Sequence, residues 1–152
     1  MKKLAISLLV FAILFSAFLL FALIISESSK ADNQRLSFNS TSACFNEKCV
    51  NIKIADTKEE RENGLMFVSQ MHEDDGMLFV FEKQDIYPFW MKNTLIPLDI
   101  IWFDENQSIV FIKMNAELCR EDLCEIINPN KPAKYVLEIN AGLVDKLNLE
   151  NK

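Results

Sequence analysis

The stretch Tyr87–Asp99, which reads YPFWMKNTLIPLD, is the part of the chain that most constrains its fold. It mixes large aromatic side chains with Lys92, Asn93 and Asp99, and two prolines restrict its backbone. This composition predicts a non-regular segment that packs on a core and presents polar groups at one edge. Its polar residues have two interpretations. They are either structural, with Trp90 in the core and Asp99 as a cap, or part of a small-molecule pocket.

The regions on either side of this stretch predict many short strands and few helices. Apolar or alternating runs typical of strands occupy residues 50–54, 77–81, 98–103, 108–113 and 134–139. Thr57 and Glu60 form a capping box that begins a short helix ending at Gly64, and residues 141–147 predict a second one. We therefore expect an α+β, mainly β domain with a compact, curved or barrel-like antiparallel or mixed sheet.

The beginning of the chain predicts a membrane segment. Residues 4–25 contain no charge, and a helix of that length spans roughly 33 Å, enough for a hydrocarbon core of about 30 Å. Lys2 and Lys3 precede the run, so the positive-inside rule leaves the N-terminus in the cytoplasm. We expect a transmembrane helix that acts as a single-pass signal-anchor in the cell membrane. A cleaved signal peptide is the alternative, although no Ala-x-Ala pattern follows, and both place the domain on the extracytoplasmic side.

The rest of the chain predicts a polar tether and one acidic globular domain. Residues 26–43 are rich in Ser and Asn and are typical of a flexible linker, which leaves residues 44–152 for the domain. The net charge is −6, and Lys2 and Lys3 account for two of the 16 basic residues. The remaining 14 basic residues stand against 22 acidic ones, a difference of −8. Such a domain repels phosphate backbones, so we expect no nucleic-acid partner.

The four cysteines form two pairs with C-x4-C spacing, Cys44 with Cys49 and Cys119 with Cys124. In an extracytoplasmic domain oxidation is the default, so we expect two disulfides. Three connectivities are open: the bridges are either local or join the two distant pairs. A zinc site is less favoured because zinc knuckles usually have C-x2-C spacing, and we assign no metal or cofactor.

The chain resembles the domain-of-unknown-function family 192, also called uncharacterised protein family 0127. The matching segments are residues 55–57, 60–61, 64–66, 76–79, 89–94, 96–99, 135–138 and 140–142, within a region of similarity from about residue 48 to 149. The resemblance implies a compact, mainly β domain that is often exported or membrane-attached. It implies no established reaction and no catalytic residues.

The first functional hypothesis is a non-enzymatic module that binds a polar or carbohydrate-like small ligand. It assigns five residues to one site: Arg61, Trp90, Lys92, Asn93 and Asp99. Arg61 lies near the end of the predicted short helix, so we expect it to meet segment 89–99 at one surface cleft. Positive donors in a cleft of an acidic domain favour an anionic or hydroxyl-rich ligand.

Two alternatives use other residues. An enzyme could use Asp99, Glu138 and Lys92 as acid–base groups, but the sequence contains no Gly-x-Ser-x-Gly and only one histidine, His72. A Cu(I) site could use thioether ligands, and the residues available for it are Met66, Met71, Met77, Met91 and His72. Methionine also fills irregular cores, and that interpretation is favoured here.

Overall fold

The computed structural model describes residues 13–24, 35–45, 47–119 and 123–151. The chain divides into two compact units, Met1–Asn33 and Gln34–Lys152. In the first unit, residues 13–24 form a helix, α1, with exposed side chains. It lies inside the predicted membrane segment, whose residues 4–12 and 25 fall outside the described part of the chain. Within the described ranges, no helix is both long and apolar enough to cross a membrane.

The second unit is mainly β, as the strand patterns predict. The strands are β1 Ser37–Phe38, β2 Ser42–Phe45, β3 Lys48–Ala55, β4 Asp75–Asp85, β5 Phe89–Trp90, β6 Leu98–Phe103, β7 Ile109–Ala116, β8 Ile126–Ile127 and β9 Ala133–Asn140. Seven of them form one curled, half-barrel sheet in the order β1-β2-β3-β4-β9-β6-β7, and β5 pairs with β8. All pairs are antiparallel except β3 with β4, so the sheet is mixed.

The folded unit begins closer to the N-terminus than the predicted domain boundary at residue 44. Residues 26–34 of the predicted linker lie outside the described chain, but β1 and the start of β2 fall within its remainder. Leu36 and Ala43 are buried in the core. The segment is predicted to be a linker because most of its residues are polar, although these two apolar side chains attach it to the sheet.

The parallel pair of β3 and β4 requires a crossover, and helix α2, Lys58–Asn63, supplies it. Its capping box is present: the Thr57 side chain accepts from the Glu60 N–H, and the Glu60 carboxylate accepts from the Thr57 N–H. These hydrogen bonds lower the pKa of Glu60 below its ordinary value. Gly64 ends the helix at φ 46°, and a Cβ there would lie 3.3 Å from the Phe79 ring. The predicted helix and both of its end signals are confirmed.

The central strands are buried on both faces, and each face contacts a separate core cluster. Along β6, Ile101 and Phe103 belong to the first cluster, whereas Ile100 and Trp102 belong to the second. The small β5–β8 sheet covers the second face, where Trp102 Nε1 donates to the Tyr87 carbonyl at 2.8 Å. The second face therefore positions segment 87–99 over the sheet.

Both disulfides are local. Cys44 bonds to Cys49 across the β2–β3 hairpin, where the two residues are register partners, and Cys119 bonds to Cys124. No cysteine is free, so the expectation of two disulfides is confirmed. Of the three connectivities left open by the sequence, the structure has the one with both bridges local.

Candidate functional site

A cleft of about 270 Å³ opens on the second face of the sheet. Its wall comes from α2 with the turn after it, from β4, and from residues 87–94, and β9 contributes one residue, Glu138. Of the five residues predicted to form a ligand site, Arg61, Trp90 and Lys92 line this cleft. We call it the Arg61 cleft. The two parts of the chain that were expected to meet, Arg61 and segment 89–99, are adjacent here.

Arg61 fastens the helix to the sheet. It is half-buried, and its Nη1 donates to the Val80 carbonyl at 2.9 Å and to the Asp56 carbonyl. Its guanidinium carbon lies 5.3 Å from the centroid of the Phe81 ring, and that ring stacks on Tyr87 with centroids 3.5 Å apart. Arg61, Phe81 and Tyr87 thus form a layered wall. The guanidinium therefore bonds backbone carbonyl oxygens of the β3–α2 turn and of β4.

Trp90 and Lys92 lie at the mouth of the cleft. The Trp90 side chain is 48% exposed, which contradicts the interpretation of Trp90 as a core residue. Lys92 Nζ lies 5.1 Å from the centroid of the Trp90 ring, which makes a cation–π contact. Both residues are exposed and carry polar or aromatic surface to the cleft.

Asn93 does not line the cleft but connects two of the segments that do. It adopts φ 56°, and its carbonyl accepts from the Phe67 N–H at 2.8 Å. Next to it, Met66 and Thr94 form a β-bridge. These contacts join the turn after α2 to residues 91–94, which is the role of a turn residue that tolerates the left-handed conformation.

Asp99 lies away from the cleft and is completely buried. Its Oδ1 accepts from the Asn115 N–H at 2.8 Å and its Oδ2 from the Val144 N–H at 3.0 Å. Val144 belongs to the first turn of helix α3, Leu143–Leu147, whose N-cap residue Gly142 has no side chain to supply the cap. Asp99 provides that cap from 45 residues away. These contacts agree with the interpretation of Asp99 as a cap and disagree with its placement in the ligand site.

Glu138 is the buried acidic residue of the cleft, at 5% exposure. Its register partners are Met77 on β4 and Ile100 on β6, so an acidic side chain lies between two apolar ones. Burial raises its pKa to about 8, and the carboxyl is therefore mostly protonated at neutral pH. Among the described residues, none donates a hydrogen bond to this carboxyl or forms an ion pair with it.

The sequence contains the signal for Glu138, since this residue interrupts the apolar run of the last strand. Sequence reasoning assigned it only to the enzyme alternative, because its position in the cleft depends on the order of β4, β9 and β6. That order brings together residues more than 35 positions apart along the chain. Thr94, at 7% exposure, is a second lining residue that sequence reasoning did not assign to the site.

Each cation of the lining already has a partner. Lys58 pairs with Glu62 at 3.7 Å on the exposed side of α2, Arg61 bonds two carbonyls, and Lys92 contacts Trp90. The raised pKa of Glu138 has burial as its cause, without an opposing contribution from a cation. Glu138 is buried, whereas Lys58 and Lys92 are exposed and Arg61 is half-buried, so we call the Glu138 side the floor of the cleft.

The methionines proposed for a Cu(I) site are distributed over three places. Met71, His72 and Met77 line a second groove of about 460 Å³, Met66 lines the Arg61 cleft, and Met91 is buried beside a third cavity. Met71 and Met77 pack on the second core cluster, as expected for gap-filling residues. Within the described ranges, no three His, Cys, Asp or Glu side chains are grouped as metal ligands.

The model of the family DUF192, described as an uncharacterized ACR, matches residues 41–152. The chain belongs to the DUF192 family. It is 31% identical over 104 residues to a UPF0127 protein from Thermococcus kodakarensis, with 65% of this chain and 59% of the relative aligned. A UPF0127 protein from Thermococcus gammatolerans is 32% identical over 104 residues, covering 65% and 61%. The chain thus spans about three-fifths of the length of these DUF192-family relatives.

Two solved structures are similar to this DUF192 domain. A candidate transcription regulator from Sinorhizobium meliloti 1021 is 36% identical, with a TM-score of 0.65 over 77% of this chain and 85% of that one. A protein of unknown function from Novosphingobium aromaticivorans DSM 12444 is 31% identical, with a TM-score of 0.64 over 76% and 77%. The resemblance seen in the sequence motifs is therefore confirmed.

Proposed function

We propose that this protein is a non-enzymatic binding module and that the Arg61 cleft takes a small polar ligand. The observation that carries the proposal is the carboxyl of Glu138, which lines the cleft on a residue of 5% exposure and has no hydrogen-bond or ion-pair partner among the described residues. Its oxygens are not sealed from solvent, so a ligand in the cleft can reach them. Burying a polar group without a hydrogen bond costs free energy of folding. A ligand that supplies the missing hydrogen bond would offset that cost.

The remaining lining supports the same conclusion. Aromatic side chains from β4 and from residues 87–90 form much of the wall, and a few polar groups converge between them. This combination is typical of sites for small molecules, whose volumes start at roughly 300 Å³. The cleft of about 270 Å³ is close to that lower limit, so the proposed ligand is small.

The enzyme alternative shares the cleft. A carboxyl group with a pKa of about 8 could act as a general acid at neutral pH. The cleft lining contains no Ser, Cys or His, and its second carboxylate, Glu62, is exposed and paired with Lys58. Recovery of the ligand unchanged after prolonged incubation supports the binding module, whereas a product that forms with wild-type protein and not with E138Q supports the enzyme.

The ligand site can be tested by fluorescence, because the chain has only two tryptophans. Trp90 is half-exposed in the cleft and Trp102 is buried. A titration of the full chain in detergent with neutral mono- and disaccharides should give a saturable change in emission. Trp90→Phe should remove the change, and Leu95→Ala, at an exposed residue outside the cleft lining, should keep it. The absence of a saturable change across the panel would contradict the proposal.

We further propose that residues 4–25 anchor the protein in the cell membrane with the N-terminus in the cytoplasm and the domain on the extracytoplasmic side. The uncharged run and the preceding lysines support this, and the two disulfides agree with an oxidising compartment. Protease added to intact cells or spheroplasts should digest the domain. Protection until lysis would contradict the orientation, and a mature N-terminus near Lys30 would contradict the retained anchor.

A further inference from the structure

We propose that Glu138 and Thr94 form the recognition floor of the Arg61 cleft and that this floor selects an uncharged polyhydroxylated ligand, such as a neutral sugar, over acidic or amino sugars. This inference rests on the proposed function and adds to it the class of ligand and the residues that discriminate. It depends on three observations: which side chains form the floor, which partners they lack, and where the surrounding charges lie.

The floor consists of two polar side chains enclosed by apolar surface. Glu138 is 5% exposed and Thr94 is 7% exposed, and both line the cleft. On the sheet, Glu138 lies between Met77 and Ile100, neither of which can donate a hydrogen bond to it. Within the described part of the chain, neither the Glu138 carboxyl nor the Thr94 hydroxyl has a hydrogen-bond partner. The open hydrogen-bonding positions of these two groups face the cleft.

The surrounding charges disfavour a cationic ligand. The titratable groups that line the cleft with Glu138 are Lys58, Arg61, Glu62, Tyr87 and Lys92. Three of these five side chains are cations, and they outnumber the exposed carboxylate of Glu62. A ligand ammonium would meet this repulsion on its way to the floor, where the protonated Glu138 offers no compensating charge at neutral pH.

An anionic ligand is disfavoured for a different reason. The cations are held at the rim and walls by Glu62, by backbone carbonyls and by the Trp90 ring. An anion that reached Glu138 would lose its hydration beside a buried carboxyl with which no described cation forms an ion pair. Uncharged hydroxyl groups avoid both costs.

A neutral carboxyl matches adjacent hydroxyl groups in its hydrogen-bonding capacity. Its O–H donates one bond and its carbonyl oxygen accepts another, so Glu138 can bond both oxygens of a vicinal diol. The Thr94 hydroxyl can add a third bond. The aromatic walls supply apolar surface for the carbon skeleton of the ring.

The test is a binding panel on the full chain in detergent at pH 6.5. Glucose, galactose, mannose and N-acetylglucosamine serve as neutral probes, and glucuronic acid and glucosamine as charged counterparts. We expect at least one neutral sugar to bind about tenfold or more tightly than either charged probe, which corresponds to one hydrogen bond. Tighter binding of glucosamine, or of glucuronic acid, would overturn the inference.

Three variants at carboxyl positions then test the floor. E138Q keeps the shape and both hydrogen-bonding functions without a titratable proton, so its affinity for the neutral sugar should stay within about threefold. E138L removes both functions and should weaken binding by about thirtyfold or more. E59Q changes an exposed carboxylate of α2 outside the cleft lining and should bind like the wild type. Wild-type affinity should fall above pH 8, and that of E138Q should not.

The outcomes separate the inference from the proposed function. If a neutral sugar quenches Trp90 and its affinity is unchanged in E138L, the recognition role of Glu138 is wrong. The cleft would remain a ligand site in that case. Loss of binding in E138Q would show that the ionised carboxylate is required, and this too would overturn the inference. Failure of every probe to bind would contradict the proposed function itself.

Discussion

The guanidinium carbon of Arg61 lies 5.3 Å from the centroid of the Phe81 ring, and Nη1 of the same side chain donates to the carbonyl of Val80 at 2.9 Å. Through these two contacts one residue joins helix α2 to strand β4. Because Phe81 also stacks on Tyr87, the contact continues into segment 87–99. The wall of the cleft is therefore held by a side chain that the sequence-based hypothesis assigned to the ligand site.

Arg61→Lys should lower the free energy of unfolding by about 1–2 kcal/mol, because the compact ammonium cannot bond both carbonyls while stacking on Phe81. Lys92→Ala is the matched comparison at an exposed cation of the same cleft, and it should change stability by no more than about 0.5 kcal/mol. Urea denaturation of the two variants measures both values. A larger loss of unfolding free energy for Lys92→Ala than for Arg61→Lys would mean that Lys92, and not Arg61, stabilises the fold.

Asp99→Asn should be much more damaging than its small chemical change suggests. The buried carboxylate accepts the N–H groups of Asn115 and of Val144, which is itself buried, and an amide has only one oxygen with which to replace them. Leaving one buried N–H unsatisfied costs about 1–3 kcal/mol of unfolding free energy. Asp145→Asn, at an exposed residue of α3, is the control and should be nearly neutral. A stable Asp99→Asn protein would argue against the remote cap.

Glu138→Gln should change how stability depends on pH. Burial raises the folded pKa of Glu138 from 4.5 to about 8, so between these values the folded state binds more protons than the unfolded state. Stability contributed by this group is fully present below about pH 4.5 and is lost as the pH rises through about 8. Relative to E138Q, the wild type should therefore lose on the order of a few kcal/mol of unfolding free energy between pH 5 and 9.

The difference between wild type and E138Q isolates this group, because the other carboxyls titrate equally in both proteins. Thermal or urea unfolding at a series of pH values supplies the two curves. Parallel curves would show that Glu138 titrates normally. A wild type that gains stability over E138Q as the pH rises would show that the folded state lowers the pKa of Glu138 and does not raise it.

The disulfides should be separable by proteolysis without reduction. Trypsin cuts between the two cysteine pairs and also inside each loop, after Lys48 and Arg120, so each bridge should be recovered as two peptides joined by one disulfide, Cys44 with Cys49 and Cys119 with Cys124. Because each bridge closes a short loop, breaking one should lower the unfolding free energy by about 2 kcal/mol or less in the chain-entropy model. A peptide that joins the two pairs would contradict the local connectivity.

The sequence predicts those helices and strands of this fold that are determined by residues close to one another along the chain. The Thr57–Glu60 capping box and the alternation around Val50 depend on neighbours within a few residues, and both are present as expected. Strand β1 and the first two residues of β2 fall in the predicted linker, because Ser and Asn dominate the composition there.

Contacts between distant residues explain the rest. Asp99 was assigned to the ligand site because its sequence neighbours are there, whereas the partner that fixes it, Val144, is 45 residues away. Glu138 was not assigned to that site because its depth in the cleft depends on the pairing of β9 with β4 and β6. Segment 89–99 supplies four cleft residues, Phe89, Trp90, Lys92 and Thr94, and a buried cap, Asp99, at its end.

The most direct test of the Arg61 cleft as a ligand site is a chemical-shift titration of the ¹⁵N-labelled full chain in detergent with the neutral sugars. The account predicts saturable shifts at the amides of residues 64–66, 89–94 and 138, and their loss in E138L. Shifts confined to the groove of Met71, His72 and Met77, or the absence of saturable shifts with every sugar, would contradict it.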